Sequence, residues 1–387
     1  GETREHRTEA ARARTLMDRL PVQDHHHRAI EVEQLIAEMH GEPTPRERKA
    51  QRRVLPRRLE RLLVAVRLVR IDAHGAGGAI DLDGFTTSAA GYFVIGSAIV
   101  PNVDLVGVND SNDEQAAQVA QEAGTQALAL DALVERCDAV SIVVPTSLHL
   151  EIARPFLEKG VHMLLEKPIE ADVASGREIV RLAEESGAIL QIGHLERYNA
   201  GILALAERIE DPRFIEAQRM GGFKARATDV DVISDLMIHD IDIILSLVDS
   251  PLVSISASGT SVLTDHIDIA NARIEFANGC VANVTASRIS MKTERSLHII
   301  QPGAYMSANL HNKTLTRYSK NGPGPVGGPQ DVDVGMDAFG DSDAMMDQTK
   351  AFLDSIADGT PPLVSGLIAM QALETATAVS NAIGGQQ

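Results

Sequence analysis

Between residues 102 and 192 the chain alternates short apolar runs with longer amphipathic runs. The apolar runs include VDLVGVND, DAVSIVVP and VHMLLEKP, and a helical pattern follows each of them. Strands that are apolar on both faces are typical of parallel sheets covered by helices, and their alternation with helices indicates βαβ units. The pattern therefore predicts an α/β, Rossmann-like domain, which we place at residues 71–193.

After His194 the pattern changes to short strand-like runs, with Asn278-Gly279 as a hairpin turn between two of them. A helix over ISDLMIHDIDIILSLV precedes these runs, and two helices close the chain. An antiparallel sheet with helices against it is an α+β arrangement. We predict a second, α+β domain at residues 194–387 that serves for substrate binding and oligomerisation.

Residues 1–70 are Arg-rich, with 16 basic against 11 acidic side chains, although the whole chain has a formal net charge of −18. We interpret this segment as an atypical extension, with helices over residues 29–40 and 46–70. A basic arm that binds an acidic partner is an alternative for it. The acidic balance of the whole chain disfavours nucleic-acid binding.

The chain has two cysteines, Cys137 and Cys280, far apart in the sequence. This fits a reducing compartment and indicates neither a disulfide framework nor a metal motif. No apolar run reaches the length of a membrane helix, and the first residues lack the apolar region of a secretory signal. We expect a cytoplasmic protein that does not bind a metal or a membrane.

Two motifs carry candidate catalytic residues. Lys167 follows a predicted parallel strand, at the edge of the sheet where ligands bind in open α/β folds. Asp235 and His239 are spaced i, i+4 and therefore share one face of a predicted helix. His239 can accept a proton near neutral pH, and Asp235 can orient its ring. A solvated lysine and a surface histidine with an acidic partner are the alternative interpretations.

Other polar residues follow two of the predicted strands. Asp110 ends the strand VDLVGVND, where an acid can accept the ribose hydroxyls and favour NAD over NADP. Pro145, Thr146 and His149 follow the strand SIVV, where a hydroxyl and a helix N-terminus suit a phosphate or ribose. A turn residue and a plain helix cap are the alternatives.

Taken together, VPTSLH, LLEKPIE and the D-x-x-x-H helix resemble the Gfo/Idh/MocA oxidoreductases over about residues 101–366. GHLERYN and the stretches TDVDVISDLMIHDIDIILSLV and TDHIDIANARIEFANGCVANVTASR are similar to a narrower subgroup that oxidises the 3-hydroxyl of UDP-N-acetylglucosamine. The resemblance implies a Rossmann domain followed by an open antiparallel sheet. It also implies NAD as cofactor, a homo-oligomer formed through the open sheet, and a later aminotransferase step that would serve lipid A biosynthesis.

The resemblance also implies roles for individual residues. Lys167, with Glu166 beside it, would contact both the nicotinamide side and the reacting hydroxyl. His239 would be the general base with Asp235 orienting it, and Lys167 as the base is the competing assignment. The sugar site would be shaped by three consecutive residues, Arg197, Tyr198 and Asn199. A free sugar or inositol is the alternative substrate.

The glycine-rich turn departs from the pattern of the family. The stretch HGAGGAIDLDGF, residues 74–85, has two correctly spaced glycines but Ile80 where the third belongs, and it lies about ten residues too far upstream. An insertion after a degenerate turn, an altered reading frame before about Pro101, and the loss of catalysis in a binding protein are three explanations. We favour the altered frame as a hypothesis.

Overall fold

The computed structural model describes residues 62–68, for which it gives the backbone only, and residues 103–224, 230–340 and 342–384. All of them belong to one compact unit that begins at Leu59. They form a Rossmann-type α/β sheet and a second, mostly antiparallel sheet, which confirms the predicted fold class. The predicted domain boundaries at residues 70 and 193 stay predictions, and the stretch HGAGGAIDLDGF lies outside the described residues.

The first sheet has five strands in the order β2-β1-β3-β4-β5. Strands β3, β4 and β5 are parallel, as the doubly apolar runs predicted. In chain order the strands are β1 (Leu62–Leu68), β2 (Val103–Asn109), β3 (Ala139–Val143), β4 (His162–Leu165) and β5 (Leu190–Ile192).

Strand β1 differs from the expectation in two ways. It lies within the segment that we predicted as a helix over residues 46–70, and it is antiparallel to both of its neighbours. Leu62 pairs with Val143 at the end of β3, whereas Leu68 pairs with Val103 at the start of β2. An apolar run with two valines suits a central strand, and this tertiary pairing overrides the helical composition of its Arg-rich surroundings.

Helices α1 (Asp113–Glu122), α2 (Leu130–Arg136), α3 (His149–Glu158) and α4 (Val173–Ser186) connect the strands of the first sheet. Two of them begin at side-chain caps that the sequence supplies. Asn112 accepts hydrogen bonds from the backbone of Glu114 and Gln115, and Asp172 accepts one from Ser175. Such caps satisfy amides that have no partner inside the helix.

The second sheet has eight strands in the order β13-β12-β11-β10-β6-β9-β8-β7. Only β6 and β9 are parallel among its neighbouring pairs in the described part of the chain. Gly279 takes φ +83° in the predicted turn. The strands are β6 (Phe214–Met220), β7 (Leu252–Thr260), β8 (Ile269–Phe276), β9 (Val281–Ser287), β10 (Glu294–Gln301), β11 (Ala304–Asn309), β12 (Thr314–Lys320) and β13 (Val332–Ala338).

One helix contributes to the hydrophobic cores of both sheets. Met370 and Leu373 of this helix, α8 (Gly366–Gly384), pack into the core of the first sheet, and Ala376 and Val379 pack into the core of the second. Among the described residues, every helix is too short or too polar to span a lipid bilayer. The remaining helices are α5 (Ala200–Ala206), α6 (Ile238–Leu247), α7 (Ala344–Asp358) and α8 (Gly366–Gly384).

We expect Leu373→Ala to lower the free energy of unfolding by about 2–5 kcal/mol, because it leaves a cavity in the core. Leu367→Ala on the same helix is the matched control, since Leu367 is 59% exposed and Leu373 only 3%. That control should change stability by less than about 0.5 kcal/mol. Chemical denaturation of both variants checks the difference, and equal losses would contradict the role of α8 in the core.

Candidate active site

Lys167 lies at the carboxyl edge of the first sheet, where the sequence placed it. Strand β4 ends at Leu165, and the Glu166 amide still donates to Ile142 of β3 over 3.1 Å. The peptide bond between Lys167 and Pro168 is cis. Lys167 Nζ donates to the backbone carbonyl of Asp235 over 2.9 Å and lies 3.7 Å from Asp235 Oδ1. The structure thus brings together two of the three predicted catalytic residues.

Asp235 lies in a π turn, Ile233–Met237, and His239 lies in the first turn of α6 immediately after it. Short π segments are rare in proteins, and those that do occur often lie at functional sites. The Asp235 carboxylate faces Lys167, while His239 Nδ1 is buried and makes no hydrogen bond. The orientation of the His239 ring by Asp235 therefore stays a prediction.

The surroundings of His239 favour its neutral form. Burial, followed by the positive charges of Lys167 and Arg219, holds the pKa of His239 well below the usual 6.5; His194 and Arg295 act in the same direction. A neutral imidazole at neutral pH has a lone pair free to accept a proton. His239 is thus in the protonation state that a general base requires, although its surroundings oppose a lasting positive charge.

Asp110 is buried at the end of β2 and already accepts two hydrogen bonds. Its Oδ1 accepts from the Asn112 amide over 2.8 Å, and its Oδ2 accepts from Gln115 Nε2 over 2.9 Å. A carboxylate has about four acceptor positions, so Asp110 keeps capacity for ribose hydroxyls. Both interpretations from the sequence, a turn residue and a ribose acceptor, are compatible with this geometry.

The segment after β3 is divided between surface and interior. Pro145 precedes a single turn, Thr146–Leu148, and α3 begins at His149. The His149 side chain is fully buried, with its ring nitrogens 3.1 Å from the carbonyls of Ile169 and Val144. His149 therefore connects the end of β3 to the segment after Lys167, and its side chain is not open to a cofactor.

Glu166 is part-buried beside Lys167. Its Oε2 accepts from the Lys167 amide over 3.2 Å. A Cβ atom at Gly193, the first residue after β5, would come within 3.3 Å of Glu166. The close approach of these two segments brings the ends of β4 and β5 together, so that GHLERYN begins beside the EKP motif.

The three predicted sugar-site residues lie around a short turn, Leu195–Tyr198. Arg197 Nη1 lies 3.5 Å from Asp242 Oδ1 on α6, so this turn faces the helix that carries His239. Tyr198 is buried and its hydroxyl makes no hydrogen bond, and burial raises its pKa. Asn199 caps α5 by accepting from the Gly201 amide. Arg197 is thus the one of the three whose charged group faces α6.

A buried ion network, which was not predicted from the sequence, joins β6 to α6 and to the turn after β5. Arg219 lies in β6 and donates to both oxygens of Asp240 over 2.8 and 2.9 Å and to Glu196 over 2.9 Å. Arg219 and Asp240 are 4% and 2% exposed. The available signal was a charged residue at an inward position of an alternating strand, FIEAQRM.

Comparison with protein families identifies both parts of the chain. Residues 87–194 match the oxidoreductase family with an NAD-binding Rossmann fold, and residues 208–301 match the GFO/IDH/MocA C-terminal domain. The chain therefore belongs to the GFO/IDH/MocA family of oxidoreductases, as the motifs predicted. Its match to the Rossmann model begins after the glycine-rich stretch of residues 74–85.

The chain is also similar to individual members of this family. It is 38% identical over 282 residues, covering 72% of this chain and 90% of the relative, to a UDP-N-acetylglucosamine 3-dehydrogenase of Acidithiobacillus ferrooxidans. A solved structure of that enzyme covers 76% of this chain and 94% of its own, with a TM-score of 0.70 and 36% identity. A scyllo-inositol 2-dehydrogenase (NAD(+)) of Bacillus subtilis is 26% identical over 306 residues, 73% of this chain and 87% of the relative.

We expect Asp240→Ala to destabilise the protein by about 3–5 kcal/mol, because the substitution leaves the Arg219 guanidinium buried without its main partner. The control is Glu185→Gln, which removes an exposed partner of Arg181 and should cost less than about 1 kcal/mol. Thermal and chemical unfolding measure both variants. A loss for Asp240→Ala no larger than that of the control would contradict the importance of the network.

Proposed function

We propose that this protein is an NAD-dependent dehydrogenase of a nucleotide sugar, and that it oxidises the 3-hydroxyl of UDP-N-acetylglucosamine. The observation that carries the reaction class is the contact of Lys167 with Asp235, beside His239 at the carboxyl edge of the Rossmann sheet. A cation can stabilise the oxygen of an alcohol as its proton leaves, and a neutral imidazole can accept that proton. The substrate rests on the similarity to the Acidithiobacillus enzyme.

The described residues fit the two ends of a nicotinamide dinucleotide. The Asp110 carboxylate, at the end of β2, suits the adenosine ribose and would repel a 2′-phosphate, which supports NAD over NADP. Lys167, at the end of β4, suits the carboxamide side of the nicotinamide. When bound, the nicotinamide supplies the acceptor for the hydride.

In the mechanism that we propose, Lys167 acts on the oxygen of the hydroxyl and His239 acts on its proton. Lys167 Nζ donates to the hydroxyl oxygen and stabilises the negative charge that develops as the proton leaves. His239, held neutral, takes that proton. Asp235 keeps the Lys167 ammonium beside the site. Lys167 as the base, with His239 as its hydrogen-bond partner, is the competing assignment.

The turn that carries Arg197, Tyr198 and Asn199 would shape the sugar side of the site. Arg197 is the candidate for the diphosphate or a sugar oxygen, because its guanidinium faces α6 at the same end as His239. The ketone produced at C3 is the substrate that an aminotransferase needs, which would place the reaction before an amination in lipid A biosynthesis. The similarity to an inositol dehydrogenase supports inositol as the alternative substrate.

One observation favours a second candidate, a family member that binds its ligand without turnover. The carboxyl end of β1 lies at the edge of the sheet opposite to Lys167, because β1 is antiparallel to β2 and β3. In a Rossmann fold the glycine-rich turn follows the first strand at the cofactor edge. Strand β1 therefore does not supply that turn, and our mechanism assigns no residue to the pyrophosphate.

The exposed face of the second sheet supports self-association. Tyr305, Tyr318 and Val334 are paired across three adjacent strands and are 36%, 46% and 61% exposed. Met336, two residues from Val334, is 74% exposed on the same face. Contiguous exposed apolar side chains on a sheet mark protein interfaces. We propose that this face joins two copies of the chain.

The decisive experiment mixes the protein with NAD and UDP-N-acetylglucosamine and follows the absorbance of reduced nicotinamide. We expect NAD to be reduced only when UDP-N-acetylglucosamine is present. Inositol in place of the sugar nucleotide should give no reduction. Isothermal titration with NAD separates the two candidates. Binding without turnover of the sugar nucleotide or of inositol would favour the inactive binding protein, and turnover with inositol alone would contradict the substrate.

We expect Lys167→Met to lower kcat by about 10²- to 10⁴-fold, since the hydroxyl oxygen loses its charged donor in the transition state. The matched control is Lys159→Met. Lys159 is an exposed lysine at the end of α3, and it pairs with Glu135 of α2. That variant should keep the kcat of the unmodified protein. Equal kcat for the two variants would contradict the role of Lys167.

A further inference from the structure

A second pair of titratable groups lies behind His239. His194 follows β5 at the carboxyl edge of the first sheet, and Asp242 lies on α6 three residues after His239. Each is 1% exposed, and His194 Nδ1 lies 3.7 Å from Asp242 Oδ2. The rings of His194 and His239 meet edge to face, with their centroids 6.4 Å apart. The three side chains therefore form a row that leads from the site into the interior.

Four buried polar atoms of this row make no hydrogen bond within the protein, although Asp242 Oδ1 accepts one from Arg197 Nη1 over 3.5 Å. Both ring nitrogens of His194, Nδ1 of His239 and Oδ2 of Asp242 are buried without a partner. A buried polar atom without a hydrogen-bond partner destabilises the fold, so several in one place call for an explanation such as a catalytic role or an ordered water. A row of buried groups that can both accept and donate protons is suited to moving one.

Resting on the proposed function, we propose that His194 and Asp242 form an internal proton relay, which carries the hydroxyl proton from His239 to the Asp242 carboxylate. The ring centroids lie 6.4 Å apart, a separation that a single bridging water would span. His239 Nδ1 is the buried nitrogen. We therefore assign Nε2 to the substrate side and Nδ1 to the relay.

With the cofactor bound, the C–H bond of the sugar carbon would break and its electron pair would leave with the hydrogen for the nicotinamide, which would supply the oxidant. The O–H bond breaks as a new N–H bond forms at His239 Nε2. His239 then gives a proton from Nδ1 towards His194, and His194 gives one to Asp242 Oδ2. The carboxylate becomes a carboxylic acid until its proton reaches solvent.

Electrostatics supports this direction of transfer. Positive charges surround His239, from Lys167, Arg219 and Arg295, and they disfavour a proton that stays on the ring. Burial, with Lys167 and Arg197, lowers the pKa of His194 to about 3, so it passes a proton on rather than holding it. Burial raises the pKa of Asp242 to about 7, against the opposing effect of Arg197.

The groups that face Asp242 come from two neighbouring segments. Arg197 and Tyr198 lie on the turn Leu195–Tyr198, and His194 follows β5. Arg197 provides the competing explanation: Asp242 Oδ1 lies 3.5 Å from Arg197 Nη1, and in that explanation Asp242 anchors Arg197 and takes no proton. An anchor holds the sugar-side turn and acts on KM, whereas a relay acts on kcat and its pH dependence.

The test compares Asp242→Asn and His194→Gln with the unmodified protein. The relay needs an ionised Asp242, so kcat of the unmodified protein should fall as the pH drops through about 7. Both variants should lose this acid limb and about 10²-fold of kcat at neutral pH. Small buffer bases should restore part of that rate. A raised KM with an unchanged limb would leave Asp242 as an anchor and overturn the relay.

The matched control is Glu170→Gln. Glu170 is also a buried carboxyl whose pKa is raised by burial, but it contacts the backbone of Ala171 and not the His194–Asp242 row. This variant should keep the acid limb and show no rescue by buffer bases. Loss of the limb in Glu170→Gln as well would overturn the assignment to Asp242.

Infrared spectroscopy tests Asp242 without substrate or cofactor and separates the two proposals. The unmodified protein should show a protonated-carboxyl band that titrates near pH 7. His194→Gln should keep this band and Asp242→Asn should lose it. Absence of the band overturns the relay even if the sugar nucleotide is oxidised. A titrating band without any sugar oxidation overturns the proposed function and leaves the proton site in place.

Discussion

The guanidinium of Arg219 is the interaction on which the arrangement of the site depends. It occupies an inward position of β6, and it is shared between Asp240 on α6 and Glu196 on the turn after β5. A buried ion pair is weak evidence for stability, since desolvation offsets most of the attraction. Its geometric effect is strong, because the planar guanidinium can donate to carboxylates in few orientations. His239 and Arg197 are the sequence neighbours of the two carboxylates, so one side chain orients both sides of the site.

The same burial determines the chemistry of the site. Helix α8 packs into both hydrophobic cores, and His194 and Asp242 beside His239 are each 1% exposed. In such surroundings a neutral imidazole is favoured over a charged one, and the acid form of a carboxyl group is favoured over the carboxylate. The low pKa of His239 and the raised pKa of Asp242 thus share their largest cause, which is loss of hydration. Arg219 and Lys167 then add charge that acts on His239 more than on Asp242.

The sequence predicted those features that repeat along the chain. Strands β3 to β5 are apolar on both faces, and β6 alternates inward and outward residues, so period and burial agree. Strand β13 was missed because five of its seven residues, including Asp333 and Asp337, are exposed or polar and only pairing with β12 defines it. His149 was predicted at the cofactor, but its distant partner Ile169 holds it inside. Arg219 and His194 were missed for the same reason, since the partners that give them meaning are remote in sequence.

The direction of β1 limits how much of a dehydrogenase the described residues complete. The carboxyl ends of β2, β3 and β4 meet at one edge and supply an acid, a hydroxyl-bearing turn and a lysine to it. Strand β1 lies between β2 and β3 but ends at the other edge. Parallel neighbours would send the next turn towards Lys167, whereas an antiparallel strand sends it away. In the mechanism that we propose, every residue that acts on the hydroxyl lies from residue 103 onward, so that part of the site does not depend on the direction of β1.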